Sequence, residues 1–112
     1  GAGGADTSLE VMDVVVSTEC CYHDVYCGDE CAKGQILGQP ARFASSKEQV
    51  EKALSLDCGT RVRGGLIVTG DWFVNTREKM QSILNDFPDA MAVDMESCAI
   101  AHTCHPQPHQ WR

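Results

Sequence analysis

The chain has 112 residues, the size of one modest domain, and its 43% hydrophobic and 22% charged residues mark globular material rather than a disordered tail. A formal charge of −7 with scattered Lys and Arg argues against a nucleic-acid or anionic-membrane partner, since both need clustered cations. No apolar run approaches the roughly 20 residues that span a bilayer.

The first residues, Gly1-Ala2-Gly3-Gly4-Ala5, follow no initiator Met and carry no charged or apolar region of a secretory signal. A turn this rich in Gly ordinarily follows a strand, so part of a longer protein is expected. Residues 13–17, Asp-Val-Val-Val-Ser, are a β-branched run between polar residues and predict a buried strand. Through 26–42, Gly28, Gly34, Gly38 and Pro40 interrupt every period, and a loop is expected. Ser45 with Glu48 forms a capping box for a helix reaching about Leu56, with Val50, Ala53 and Leu54 on its buried face. Residues 65–69, Gly-Leu-Ile-Val-Thr, predict a second buried strand. Asn75 as cap, with Glu78 at the third position, opens a further helix carrying Met80, Ile83, Leu84 and Phe87 at helical spacing, and Pro88 stops it. A third strand over 90–95 runs directly into an apolar helical stretch over 97–104. Short apolar strands alternating with amphipathic helices define an α/β protein with a largely buried sheet.

The seven cysteines are at 20, 21, 27, 31, 58, 98 and 104, an odd number without a signal peptide. That combination points to reduced thiols in a cytoplasm rather than a disulfide scaffold. No pair has C-x-x-C spacing. Cys27 with Cys31, and Cys104 between His102 and His105, offer donors without a second matching pair, so scattered thiols are preferred to a metal site and no metal or cofactor is expected.

Three segments carry potential chemistry. The Gly-rich turn can bring backbone N–H groups against an oxygen-rich ligand. Gly70-Asp71-Trp72-Phe73-Val74-Asn75 follows a buried strand, where open α/β sheets place ligands, and its aromatics can stack on a purine. For Trp72 core packing is the preferred reading. Glu96, at a strand-to-helix junction, can accept hydrogen bonds from the vicinal hydroxyls of a ribose, or can simply complement the helix dipole; taken alone, the dipole reading is preferred.

Together these segments are more specific. Ala2-Gly3-Gly4, Tyr22-His23-Asp24-Val25, Gly65 to Asp71, Phe87-Pro88-Asp89, and Ala92-Val93-Asp94-Met95-Glu96 with Ala99-Ile100-Ala101 and Cys104-His105 follow one another in an order that resembles the 5′-methylthioadenosine/S-adenosylhomocysteine nucleosidases. The resemblance covers most of 1–25 and 35–105. It implies part of a three-layer α/β/α sandwich with a mixed central sheet, truncated at both ends, with 1–105 the central portion of a nucleoside phosphorylase-like domain and 106–112 an aberrant tail.

The resemblance also implies roles. Phe73 matches the aromatic that stacks on adenine, and the backbone of Val74 the group that reads the base edge. Met95 packs against the ribose, Glu96 holds its 2′- and 3′-hydroxyls and acts in catalysis, and Ala2 and Gly3 lie beside the ribose and the attacking water. The implied reaction hydrolyses the N-glycosidic bond of an adenine thio-nucleoside and releases adenine.

The pattern is broken in three places. No residue of the chain matches the family's Asp that protonates adenine or its Glu that orients water; general acid–base help of this kind is worth roughly 10²–10⁴-fold. Residues 26–33 replace an aromatic-bearing loop that in the family reaches into the neighbouring subunit, which argues against the family's homodimer here. Compensating reading-frame errors are expected there, and loss of frame in 106–112. Phosphorolysis by a purine nucleoside phosphorylase is the near alternative, but Arg61, Arg63 and Arg77 fall at no motif position. A weakly stable, non-catalytic nucleoside-binding fragment and a thiol- or metal-binding module are the alternatives from other classes.

Overall fold

The computed structural model describes residues 3–56 and 59–105, so Ala2, Cys58 and the 106–112 tail lie outside the described residues. In chain order the elements are β1 (Gly3–Gly4), β2 (Val14–Tyr22), β3 (Phe43–Ala44), α1 (Lys47–Leu54), β4 (Val62–Thr69), α2 (Arg77–Asp86), β5 (Ala90–Asp94) and α3 (Ser97–Cys104). They form one five-stranded sheet in the order β1-β5-β4-β2-β3. The three central strands are parallel, and the two-residue edge strands β1 and β3 pair antiparallel, so the sheet is mixed as expected.

Side chains on the two faces of the sheet meet different helices. On one face Cys21, Leu66, Val68, Ala90 and Val93 pack against Ile83 of α2 and Phe87 at its C-terminal cap. On the other, Cys20, Ile67 and Ala92 pack against Cys98 of α3 and Phe43. Val68 and Cys98 are fully buried. Burying one side chain of Val or Leu size contributes about 1.5–3 kcal/mol, so each face carries its own share of the stability. Within β2 the register shifts between Ser17 and Glu19, a bulge that lets Val15 and Cys20 share a face despite their odd spacing. The same bulge hides the second half of β2 from a period-two reading, which is why the strand extends five residues beyond the predicted 13–17.

Both anticipated helix caps move one residue. The backbone N–H of Ser45 donates to the Thr18 carbonyl at 3.0 Å, tying Ser45 to β2, so Ser46 caps α1 and accepts from the Gln49 N–H. Asn75 gives its side-chain oxygen to the Lys79 ammonium at 3.2 Å, and Thr76 caps α2 instead, accepting from the Lys79 N–H. The face of α1 is less buried than expected: Val50 and Ala53 are half-buried and Leu54 is exposed. Leu54 reaches over Gly64, which offers it no side chain to pack against.

The expectation that every thiol is free is corrected at one pair. Gly28 takes a left-handed φ of 108°, and the N–H of Cys31 returns to its carbonyl at 3.1 Å. This reversal brings Cys27 and Cys31 together in a disulfide, with Cα atoms 5.8 Å apart. Cys20, Cys21 and Cys98 are free and buried, and Cys104 is free and exposed. Burial pushes the Cys21 and Cys98 thiols up to about 12. No helix among the described residues is long and apolar enough to cross a membrane.

Candidate functional site

Beyond the carboxyl ends of β4 and β5 lies a cavity of about 370 Å³. Gly3 borders it from β1, Trp72, Phe73 and Val74 from the loop after β4, Met80 from α2, and Val93, Asp94, Met95 and Glu96 from the β5–α3 junction. Thus five of the six sequence-derived site residues, Gly3, Phe73, Val74, Met95 and Glu96, meet at one place, and the sixth, Ala2, lies outside the described residues.

The loop after β4 is shaped by a close approach at Gly70. A Cβ there would fall 2.4 Å from the His23 ring, so only glycine fits. The Asp71 N–H then donates to Asp24 at 2.9 Å, and the chain turns outward. Phe73 is consequently 69% exposed, its ring presented to the cavity instead of the core. The core reading of Trp72 is corrected for the same reason: it is 38% exposed, lines the cavity, and has the Lys79 ammonium 5.5 Å from its ring centroid. Lys79 also donates to the Phe73 carbonyl at 3.2 Å, bracing the loop from α2. Val74 is half-buried and anchors the loop on the α2-side core.

Glu96 occupies the cap position of α3 and is exposed, yet its side chain makes no capping bond. Asp94 performs that task, accepting from the Ser97 N–H at 3.2 Å on each oxygen and from the Ser97 hydroxyl. Thr69, 2% exposed, donates to Asp94 at 2.6 Å and accepts from the Cys98 N–H at 3.0 Å. Glu96 still lies at the positive end of the α3 dipole, but no capping hydrogen bond engages its side chain.

Sequence reasoning missed Thr69, Asp94, Lys79 and His23. For Asp94 a signal existed, an Asp three residues before a Ser at a helix start; the others emerge only from the fold. His23 is buried with its Nε2 lacking a hydrogen-bond partner, and desolvation pulls its pKa below the usual value, with Asp24 opposing. Arg61 is paired with Asp13 and Arg63 donates to Ser8; neither they nor Arg77 border the cavity. Among the described residues no group of three or more His, Cys, Asp and Glu side chains is arranged to hold a metal.

A mixed sheet covered on both faces makes this an α/β domain, and its cleft lies at the carboxyl ends of parallel strands, the place where such sheets bind ligands. The phosphorylase superfamily profile matches residues 1–107, and the chain belongs to that superfamily. It is 43% identical over 107 residues to the 5′-methylthioadenosine/S-adenosylhomocysteine nucleosidase of Actinobacillus succinogenes, covering 93% of this chain and 46% of that protein. The Glaesserella parasuis nucleosidase of the same name is 40% identical over 110 residues, covering 93% of this chain and 46% of its own. Among solved structures, the Neisseria meningitidis nucleosidase in complex with methylthio-immucillin-A superposes with a TM-score of 0.86 at 44% identity, covering 93% of this chain and 47% of that one. The Streptococcus pneumoniae enzyme in complex with 8-aminoadenine gives 0.86 at 39% identity, covering 93% and 46%. The chain spans about half the length of the relatives it matches.

Proposed function

We propose that this chain supplies the ribose- and base-holding part of an N-glycosyl hydrolase site for 5′-methylthioadenosine and S-adenosylhomocysteine. The observation that carries the reading is the convergence of Gly3, Phe73, Val74, Met95 and Glu96 on one cavity at the strand ends. Phe73, with its ring free of the core, stacks on adenine, and the backbone at Val74 reads the base edge. Met95 packs against the ribose, and Glu96, unengaged by the helix, accepts from the 2′- and 3′-hydroxyls. Ala2 and Gly3 border the ribose and the attacking water.

In this reaction the sugar passes through a ribosyl cation-like state. Polarisation of the 2′-hydroxyl by the Glu96 carboxylate favours that state, and the effect grows as water leaves the cleft. The described lining carries carboxylates and no Lys or Arg, which favours hydrolysis over phosphorolysis, since the latter must hold a phosphate. No residue of the chain matches the family's general acid or water-orienting Glu, so binding with very slow turnover is expected of the 112 residues by themselves.

Calorimetric titration with methylthioadenosine and with adenine tests the reading. Saturable binding of both is expected, with Glu96→Ala weakening the nucleoside and sparing the base. Equal binding of the nucleoside by Glu96→Ala and the parent chain refutes the assignment of Glu96. Failure to bind either ligand refutes the proposed half-site.

A further inference from the structure

Glu96 stands at the cap position of α3, where helices usually recruit the side chain to accept from a first-turn amide. In this chain that work is done from the sheet. Parallel pairing sets Thr69 of β4 beside Asp94 of β5, the last residue of its strand. From there the Asp94 carboxylate reaches past Met95 and Glu96 to the Ser97 N–H at 3.2 Å, and the Thr69 hydroxyl oxygen accepts from the Cys98 N–H at 3.0 Å. The Thr69 hydroxyl proton goes to Asp94 at 2.6 Å, so the two side chains lock each other. Thr69 is 2% exposed, and water does not compete for its bonds.

We propose that Thr69 and Asp94 are the positioning residues of the ribose-binding carboxylate. By satisfying the first-turn amides of α3, they relieve Glu96 of capping and leave its carboxylate directed at the hydroxyls of a ribonucleoside. Without them Glu96 is the nearest acceptor for those amides, and a carboxylate folded back onto the helix is lost to the ligand. The inference rests on the reading of Glu96 as the hydroxyl-binding group.

The test uses Asp94→Ala and Thr69→Val, with Asp94→Asn and Thr69→Ser as conservative partners and Glu96→Ala as reference. Three ligands are titrated: methylthioadenosine, its 2′-deoxy counterpart, and adenine. Asp94→Ala is expected to weaken methylthioadenosine by roughly ten-fold, the equivalent of losing a good helix cap, and the deoxy ligand, which keeps only its 3′-hydroxyl, by less, while affinity for adenine changes little. The preference for ribose over deoxyribose then narrows. Thr69→Ser retains it, Asp94→Asn retains part of it, and Asp94→Ala adds nothing in a Glu96→Ala background.

A second reading needs no ligand. In a Glu96→Ala background, where no replacement acceptor remains, amide hydrogen exchange at Ser97 and Cys98 is expected to accelerate by roughly ten-fold on adding Asp94→Ala or Thr69→Val. If Glu96→Ala leaves nucleoside affinity intact, the parent reading of Glu96 fails and this inference with it. If Glu96→Ala weakens the nucleoside but Asp94→Ala keeps the ribose preference, the inference alone is overturned. Equal loss for all three ligands, or unchanged exchange at Ser97 and Cys98, also overturns it.

Discussion

Replacing Phe73 with Ala separates ligand contact from folding, because the two make different demands on that ring. Phe73 is 69% exposed and belongs to neither core cluster, so its truncation is expected to change stability by no more than about 0.5 kcal/mol, as for other surface positions. Its value to the ligand is larger. Stacking of a base on an aromatic side chain is worth about 1–3 kcal/mol by Ala substitution. At 1.4 kcal/mol per decade, that weakens binding of adenine and of methylthioadenosine by roughly 5- to 150-fold. Ile83→Ala is the opposite case: Ile83 is 3% exposed in the α2-side core, and its truncation should cost about 2–5 kcal/mol of stability. Calorimetric titration and thermal unfolding of the three proteins in one buffer give both numbers. Unchanged adenine affinity in Phe73→Ala, or a loss of stability comparable to that of Ile83→Ala, would refute the placement of the ring.

Removal of the Lys79 brace by Lys79→Met should weaken adenine a few-fold through loss of its bonds to Phe73 and Asn75, roughly 1 kcal/mol, and should shift Trp72 fluorescence, read in a Trp111→Phe background. An unaltered emission spectrum would show that the ammonium does not rest on the indole. Burial lowers the pKa of His23 from 6.5, so the unfolded chain binds the proton more readily than the folded one. The associated stability is therefore complete above about pH 6.5 and is lost as pH falls from there towards the lower folded value. The melting temperature of the parent chain should drop between pH 7 and 5 more steeply than that of His23→Gln, and parallel pH profiles would contradict this. Brief alkylation of the native, unreduced protein followed by mass spectrometry should modify Cys104 and spare Cys20, Cys21 and Cys98, with Cys27 and Cys31 reacting only after reduction. Labelling of Cys27 without reductant would show that the pair is open.

Much of the frame was legible because it is written in local patterns. The β-branched and apolar runs of β2, β4 and β5 and the spacing of Ile83 and Phe87 required only periods of 2 and 3.6. The two-residue strands β1 and β3 have no period to read, and their existence depends on neighbours brought in from elsewhere. The caps at Ser46 and Thr76 went one residue astray because the competing bonds of Ser45 to Thr18 and of Asn75 to Lys79 are tertiary or side-chain choices. In the site, Phe73, Met95 and Glu96 were visible as members of recognisable segments. Thr69 and Asp94 stand in the same segments, but their pairing is not legible there, since the register of two parallel strands decides that they meet. The outward turn of Trp72 likewise depends on the fit of Gly70 against His23, which no window of sequence contains.

The most direct test is a structure of the chain, by crystallography or NMR, with methylthioadenosine bound. The account expects the adenine against the Phe73 ring, its edge at the Val74 backbone, and both ribose hydroxyls donating to the Glu96 carboxylate while Asp94 remains on Ser97. A nucleoside bound elsewhere, or in this cleft with Glu96 turned away from the ribose, would contradict it.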